Sequence, residues 1–336
     1  MTLARSEYAR LRPMAIADLG LATGRSARPY PYYPSMLESI SVQAPAKLNL
    51  ALSVGPTDRD GMHPICSWMV TIDLCDELVV DRLPQDRLSR YAILWHEDAK
   101  RPSDIDWPIS QDLAVRAHLA MENHVGRRLP LQLKLRKRIP VGGGLGGGSS
   151  NAAAMLRAVN ELFDLGMSVD DMRQISWGLG SDVPFFVAGG SAIIEGVGEQ
   201  IESQETVPNL SAVIVFPEAS CATGRVYDMF DEVAPGPLRP DAVRALASLN
   251  GPLRPDAIFN DLAPAAVRVA PTLQEHLARL TDLAERPAHV AGSGSSLFVL
   301  CDDQLHAKAL ADAVEKRLSL PAVAVRELAT DPMPIP

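Results

Sequence analysis

Leu131, Leu133 and Leu135 alternate with Gln132, Lys134 and Arg136, the period-two pattern of a half-buried strand. Further on the period changes. Ala152, Met155, Leu156, Val159, Leu162 and Phe163 recur at helical spacing, with Ser149 or Ser150 as the expected cap. Between the two patterns, glycine fills six of the seven positions from Gly142 to Gly148. Such a run cannot be the interior of a helix or strand, because glycine loses the most backbone entropy on ordering. The unit is strand, glycine loop, helix. Its loop N–H groups can approach a polyanion closely, and the helix start adds the positive end of its dipole. That is a phosphate cradle. It is not a Walker loop, which needs Lys followed by Ser or Thr where this chain has Ser149-Ser150. A dinucleotide fingerprint would need an acidic ribose partner on a following strand, and none is evident.

The same patterns give the rest of the fold. Residues 39–52 and 68–80 read as strands, with Pro45 predicting a bend or an edge in the first. Residues 81–110 are polar and poorly patterned, and are expected to form a hairpin and loops. Helices are expected over 111–122 and over 168–179, the second capped by Ser168, and strands over 190–197 and 212–216. After a short helix at 242–249 come helix 273–285, strands 288–291 and 296–301, helix 304–318 and strand 322–326. That order suggests a lobe of split βαβ type, and an α+β fold overall.

Composition narrows the function. The chain has 336 residues, 47% of them hydrophobic, enough for two domains or lobes. Its formal net charge of −9, without a long basic tract, argues against nucleic acid as a partner. No apolar run is long enough to span a membrane. Cys66, Cys75, Cys221 and Cys301 are scattered, which predicts free thiols in a reducing compartment, the cytoplasm. Residues 1–37, rich in arginine and ending near Met36, read as a disordered extension or a mis-assigned start, with a targeting peptide as the other reading. The basic run Lys134, Arg136, Lys137 and Arg138 beside the glycine loop reads either as a solvated strand face or as phosphate contacts.

On residues alone, Lys47 is a snorkelling strand lysine, Asp182 an N-cap before a helix, His63 a loop histidine and Tyr227 a half-buried aromatic. The whole strings say more. Pro140-Val141-Gly142-Gly143-Gly144-Leu145-Gly146-Gly147-Gly148-Ser149-Ser150-Asn151 resembles the ATP-binding loop of the GHMP small-molecule kinases. Ala44-Pro45-Ala46-Lys47-Leu48-Asn49-Leu50, Gly180-Ser181-Asp182-Val183-Pro184-Phe185 and Ala291-Gly292-Ser293-Gly294-Ser295-Ser296 resemble, in family order, its opening, aspartate and third motifs. The similarity is strongest to the branch acting on 4-diphosphocytidyl-2-C-methyl-D-erythritol in non-mevalonate isoprenoid synthesis.

That resemblance implies a two-lobed GHMP kinase fold: an N-terminal, ribosomal-protein-S5-like ATP-binding lobe over 38–205 and a C-terminal, ferredoxin-like lobe over 206–336. It implies ATP and Mg²⁺ as cofactors and a small-molecule acceptor phosphorylated at its 2-hydroxyl. Pro140, Gly142, Gly143, Gly144, Leu145, Gly146, Gly147, Gly148, Ser149 and Ser150 would bind ATP. Lys47 and Asp182 would carry the transfer, while Asn49, His63 and Tyr227 would hold the cytidine end. The chain departs from the branch in two places: Met62 stands where the branch carries an aromatic, and Gln111-Asp112-Leu113 stands for Asp-Asn-Leu. Two other readings are a sibling kinase acting on homoserine or a mevalonate-type acceptor, and a non-catalytic nucleotide-binding protein on the same fold.

Overall fold

The computed structural model describes residues 37–328, apart from 59–60, 208, 234–235 and 249–252. The extension expected over 1–37 therefore lies outside the described residues except for Leu37. The strands are β1 Ser39–Val54, β2 Ile65–Arg82, β3 Arg90–Trp95, β4 Leu131–Lys137, β5 Ser191–Gly196, β6 Gln200–Gln204, β7 Ser211–Val215, β8 Phe259–Asn260, β9 His289–Val290, β10 Leu297–Cys301 and β11 Ala322–Arg326. The helices are α1 Leu113–Val125, α2 Gly147–Leu162, α3 Val169–Ser176, α4 Val183–Ala188, α5 Thr223–Val233, α6 Pro240–Ala247, α7 Ala263–Val269, α8 Thr272–Ala284 and α9 Gln304–Leu318.

Two sheets organise these elements. The first is seven-stranded, with core order β3-β4-β2-β1-β8; β5 pairs with β2, and β6 with β5. The length of β2 allows this, since its Glu77–Arg82 half pairs with β4 and its Ile65–Val70 half with β5. The second sheet has order β11-β7-β10-β9, with every neighbouring pair antiparallel and α9 crossing between β10 and β11. This is the split βαβ arrangement that the sequence order suggests.

Alternation shows how the layers stack. Ala212, Ile214 and Phe216 share a buried cluster with Leu48, Leu50, Trp68 and Val70, so the sheets meet face to face. Val213 and Val215 belong instead with Ala307, Leu310 and Val314 of α9. Along β1 the parity changes twice. Ile40, Val42 and Ala44 lie in the cluster containing α2, whereas Ala46, Leu48 and Leu50 lie between the sheets; Leu52 and Val54 return to the first cluster. The register of β1 against β2 shifts at Pro45/Ala46, where β2 carries two extra residues, and again at Asn49/Ala51, where β1 carries one, and the face that β1 turns to α2 changes at each shift. Pro45 thus marks an irregularity in its strand, and β8 pairs with β1 only at Ala51 and Leu52, so among the described residues the side of β1 away from β2 carries no paired strand at Pro45.

Three expectations need correction. Residues 81–110 form no hairpin: β3 is a single edge strand that pairs in parallel with β4. The helix after the glycine loop is capped not by a serine but by Gly146 at φ 73°, with Ser149 and Ser150 already inside α2. The basic run is not a solvated face throughout, because Lys137 is buried in an ion pair with Asp76. Ser168 does cap α3, in a capping box with Asp171. All four cysteines are free; Cys66, Cys221 and Cys301 are buried, and burial raises their thiol pKa values.

The sheets are also joined at the chain's last described residues. Glu327 bridges Ile72 of β2, its N–H donates to Leu210 O, and its Oε2 accepts from Val207 N at 2.6 Å. Burial pushes its carboxyl up to about 7, with the Val207 bond opposing. Between pH 4.5 and about 7 the folded state therefore binds more protons at this site than the unfolded chain. Its contribution to stability is present below pH 4.5 and fades as pH rises through 7. Urea midpoints compared at pH 5 and pH 8 should show a smaller fall with pH for Glu327→Gln than for the wild type.

Candidate active site

The register shifts in β1 assemble the site. Between them the even positions face the second sheet, so Lys47 and Asn49 face the other way, into a cleft of about 760 Å³. At the first shift the Lys47 N–H leaves the ladder and donates to Leu145 O of the glycine loop at 3.0 Å. The third motif holds that loop from the opposite side. Ser295 N and Ser296 N donate to Gly142 O and Gly143 O at 3.3 and 3.2 Å. At Gly144, φ is +74° and an added Cβ would lie 1.9 Å from Ala291 O, so only glycine fits. Asn260 secures the third motif in turn, its Nδ2 donating to Val290 O and Gly292 O at 2.9 and 2.7 Å.

Both ends of the loop rest on Asp76, a fully buried carboxylate on β2. It accepts from Lys137 Nζ at 2.6 Å, Arg138 N at 2.6 Å, Ile139 N at 2.8 Å and Asn151 Nδ2 at 3.0 Å. It therefore ties the end of β4 to the start of α2, across the glycine loop. The carbonyls of Gly142, Gly143 and Leu145 are engaged by protein, and the first-turn N–H groups of α2 are those a helix leaves without intrahelical partners. The arrangement can take a phosphate chain on backbone donors.

Lys47 is buried. Its Nζ donates to Asn49 Oδ1 at 2.6 Å and lies 3.9 Å from Asp182 Oδ2. Burial pulls its ammonium below the usual lysine range, with the Asp182 charge opposing. Asn49 Nδ2 donates to Ser67 Oγ at 2.8 Å, which donates to Ala51 O, so the Asn49 amide is held in the orientation that meets Lys47. Asp182 occupies the N-cap position of α4 yet makes no capping bond with its side chain. Its carboxylate is directed at Lys47 instead. A carboxylate and a lysine beside a phosphate cradle can orient and deprotonate a hydroxyl and neutralise the charge that develops.

The other expected residues are placed as follows. Pro140, Gly142 to Gly148 and Ser149 line the cleft. Ser150 is buried behind them, and its hydroxyl has no partner. His63 and Tyr227 line one end of the cleft with ring centroids 5.1 Å apart, while Met62 is half-exposed at the rim. Burial first, then the charge of Asp182, pushes the Tyr227 phenol up to about 12. Gln111 and Asp112, whose departure from the branch's Asp-Asn-Leu kept them out of the expected site, line the cleft at the N-terminus of α1, and so does Trp107, which sequence reasoning missed. Asp112 caps α1 and accepts from the Trp107 indole N–H at 3.3 Å. An aspartate just before an apolar-periodic run was the available signal.

Among the described residues no group of three or more His, Cys, Asp or Glu side chains could hold a metal ion. Mg²⁺ in phosphoryl-transfer sites is held by one or two carboxylates together with the substrate phosphates. Asp182 and the Ser149 hydroxyl are oxygen donors at the loop, and they fit an ion that arrives with the nucleotide.

Residues 112–190 match the model of the GHMP kinases N terminal domain. The chain is 33% identical over 294 residues to a 4-diphosphocytidyl-2-C-methyl-D-erythritol kinase of Geobacter sp. (strain M21), covering 87% of this chain and 100% of that protein. It is similar to a solved 4-(cytidine 5'-diphospho)-2C-methyl-D-erythritol kinase, with a TM-score of 0.68 and 32% identity over 86% of this chain and 99% of that one. A homoserine kinase from Cytophaga hutchinsonii shares the fold, with a TM-score of 0.66 at 19% identity over 90% of this chain and 99% of that one.

Removing the Asp76 carboxylate would strand the Lys137 charge and the backbone donors that close the loop. Asp76→Ala should therefore cost about 3–5 kcal/mol of stability. Asp76→Asn, which keeps an acceptor, should cost less. Urea unfolding of both variants checks this.

Proposed function

This chain belongs to the 4-diphosphocytidyl-2-C-methyl-D-erythritol kinase family of GHMP kinases, and we propose that it transfers the γ-phosphoryl group of ATP to the 2-hydroxyl of that cytidine diphosphate-linked substrate. The observation that carries the reading is the buried Lys47, 3.9 Å from Asp182, in one cleft with the glycine loop and the N-terminus of α2. Residues 38–205 form the ATP-binding domain in this reading, and 206–336 the second domain. The reaction runs in the cytoplasm, where the four free thiols stay reduced.

The chemistry follows from the side chains. Phosphoryl transfer asks mainly for positioning and charge neutralisation. Backbone N–H groups of Gly142 to Ser149 and the α2 dipole hold the ATP phosphates. Asp182 accepts a hydrogen bond from the acceptor hydroxyl and takes its proton as the new P–O bond forms, while the bond from the γ-phosphorus to the ADP oxygen breaks. Lys47, aimed by Asn49, balances the charge on the transferred group. Asp182 and Ser149 would hold Mg²⁺ when it arrives with the nucleotide, and the ion would supply further neutralisation of the phosphates. His63 and Tyr227 form the wall for the cytidine end, and the thioether of Met62 can pack on a π-face where the family carries an aromatic. Asn49 aims Lys47 and, with one amide N–H and one lone pair still open, can also meet the cytidine end.

The test is ATP consumption with Mg²⁺ across the cytidyl acceptor, homoserine, mevalonate and phosphomevalonate. Turnover of the cytidyl acceptor alone is expected, and Asp182→Asn should lower kcat by roughly 10²–10⁴-fold. Turnover of a different acceptor would overturn the substrate. ATP binding without turnover of any acceptor would overturn the catalytic reading.

A further inference from the structure

One end of the cleft holds a set of polar side chains with no part in the transfer step. His63 Nδ1 is 3.0 Å from Gly55 O, and a carbonyl only accepts, so Nδ1 carries a proton. His63 Nε2 lies 3.3 Å from Thr57 Oγ1 and 3.5 Å from Asp231 Oδ2. Thr57 Oγ1 in turn is 3.1 and 3.0 Å from the two carboxylate oxygens of Asp231. Nδ1 is thus held by Gly55 O, and the Thr57 hydroxyl, with its one proton, stands between Nε2 and the Asp231 carboxylate. The ring, with only 8% of the side chain exposed, is tilted by 37° against Tyr227 and meets Phe230 edge-on at 5.7 Å.

The spacing on α5 explains the arrangement. Tyr227 and Asp231 are four residues apart on one helix and share a face. That face packs the ring with the phenol and sets the carboxylate behind Thr57, beside the ring's nitrogen edge. Thr57, Met62, His63, Tyr227 and Asp231 all line the cleft. Thr57 is exposed, and Asp231 belongs to a helix of the second half of the chain, so their contact ties the loop after β1 to α5.

We propose that Thr57 and Asp231 are positioning residues for the acceptor's nucleobase. They fix the orientation of His63, and through it the Tyr227 ring at the cleft wall, so they set the affinity for the cytidyl acceptor and leave phosphoryl transfer and the hold on ATP alone. This inference rests on the reading that the cytidine end lies against His63 and Tyr227.

The test compares Thr57→Val, Thr57→Ser and Asp231→Asn in the full chain, by steady-state kinetics and by calorimetric binding of cytidine 5'-monophosphate. Thr57→Val and Asp231→Asn should raise KM for the cytidyl acceptor by roughly tenfold, the scale of one hydrogen bond to a charged group. The kcat and the KM for ATP should stay within about twofold, and binding of the monophosphate should weaken by about the same factor as the acceptor's KM. Thr57→Ser, which keeps the hydroxyl, should behave as wild type. Wild-type turnover of the cytidyl acceptor with an unchanged KM in both impaired variants would overturn the positioning role alone. So would a Thr57→Ser as weak as Thr57→Val, or a joint fall in kcat and ATP affinity. A wild-type protein that binds no cytidine monophosphate and phosphorylates only another acceptor would overturn the functional reading and this inference together.

Discussion

Between two register shifts, β1 runs out of phase with the rest of its length, and most of the site depends on that short interval. A strand with a strict period of two would send Lys47 and Asn49 into the packing between the sheets, where Leu48 and Leu50 now sit. The shift at Pro45/Ala46 turns them to the cleft and frees the Lys47 N–H to grip Leu145 O. The shift at Asn49/Ala51 then restores the phase, so that Leu52 and Val54 pack in the same cluster as α2. One irregularity would aim the lysine but leave the end of the strand inverted. The pair confines the inversion to the residues that need it.

Charge in the cleft is distributed sparingly for a site that meets two polyanions. The lining carries Lys47 and Lys137, and both ammonium groups already face carboxylates. Against them stand Asp112, Asp182, Asp228 and Asp231. On the proposed reading, attraction for phosphate comes from backbone dipoles at the glycine loop, with a cation that travels with the nucleotide adding to it. The buried pair of Asp76 and Lys137 belongs to this economy. Its ions satisfy one another, and its carboxylate binds the backbone on the far side of the loop, leaving the near side for ligand.

Much of this was legible in the sequence, because the signals were local. Alternation over Leu131 to Lys137 and helical spacing after Gly148 bracket the loop, and the order of elements after Ser211 gives the second sheet. Motif strings pointed to Lys47, Asp182, His63 and Tyr227, all of which the fold brings to one cleft. What stayed hidden depends on contacts between distant residues. Asp76 looks like any strand aspartate until α2 and the end of β4 close over it. Asp231 has no signal of its own, since its partners, Thr57 and His63, lie far away in the chain. β3 was misread because an edge strand pairing in parallel leaves neither a turn signature nor a clean alternation. The serine cap failed for a similar reason: the tight entry past Phe186 and Lys47 leaves room for no Cβ at position 146, so glycine caps the helix.

The backbone grip on the nucleotide also bears on how such a protein diverges. A contact made by a main-chain N–H is the same whichever side chain stands above it, and it cannot be lost by truncating one. Alanine scanning would therefore under-report this part of the cleft: the positions that matter most already have nothing to remove, and adding a single methyl at Gly144 does more than any deletion nearby. Selection acting there sees only bulk. On the proposed reading the acceptor is met instead by replaceable side chains such as Met62, where a lineage can retune it while the glycine loop stays as it is.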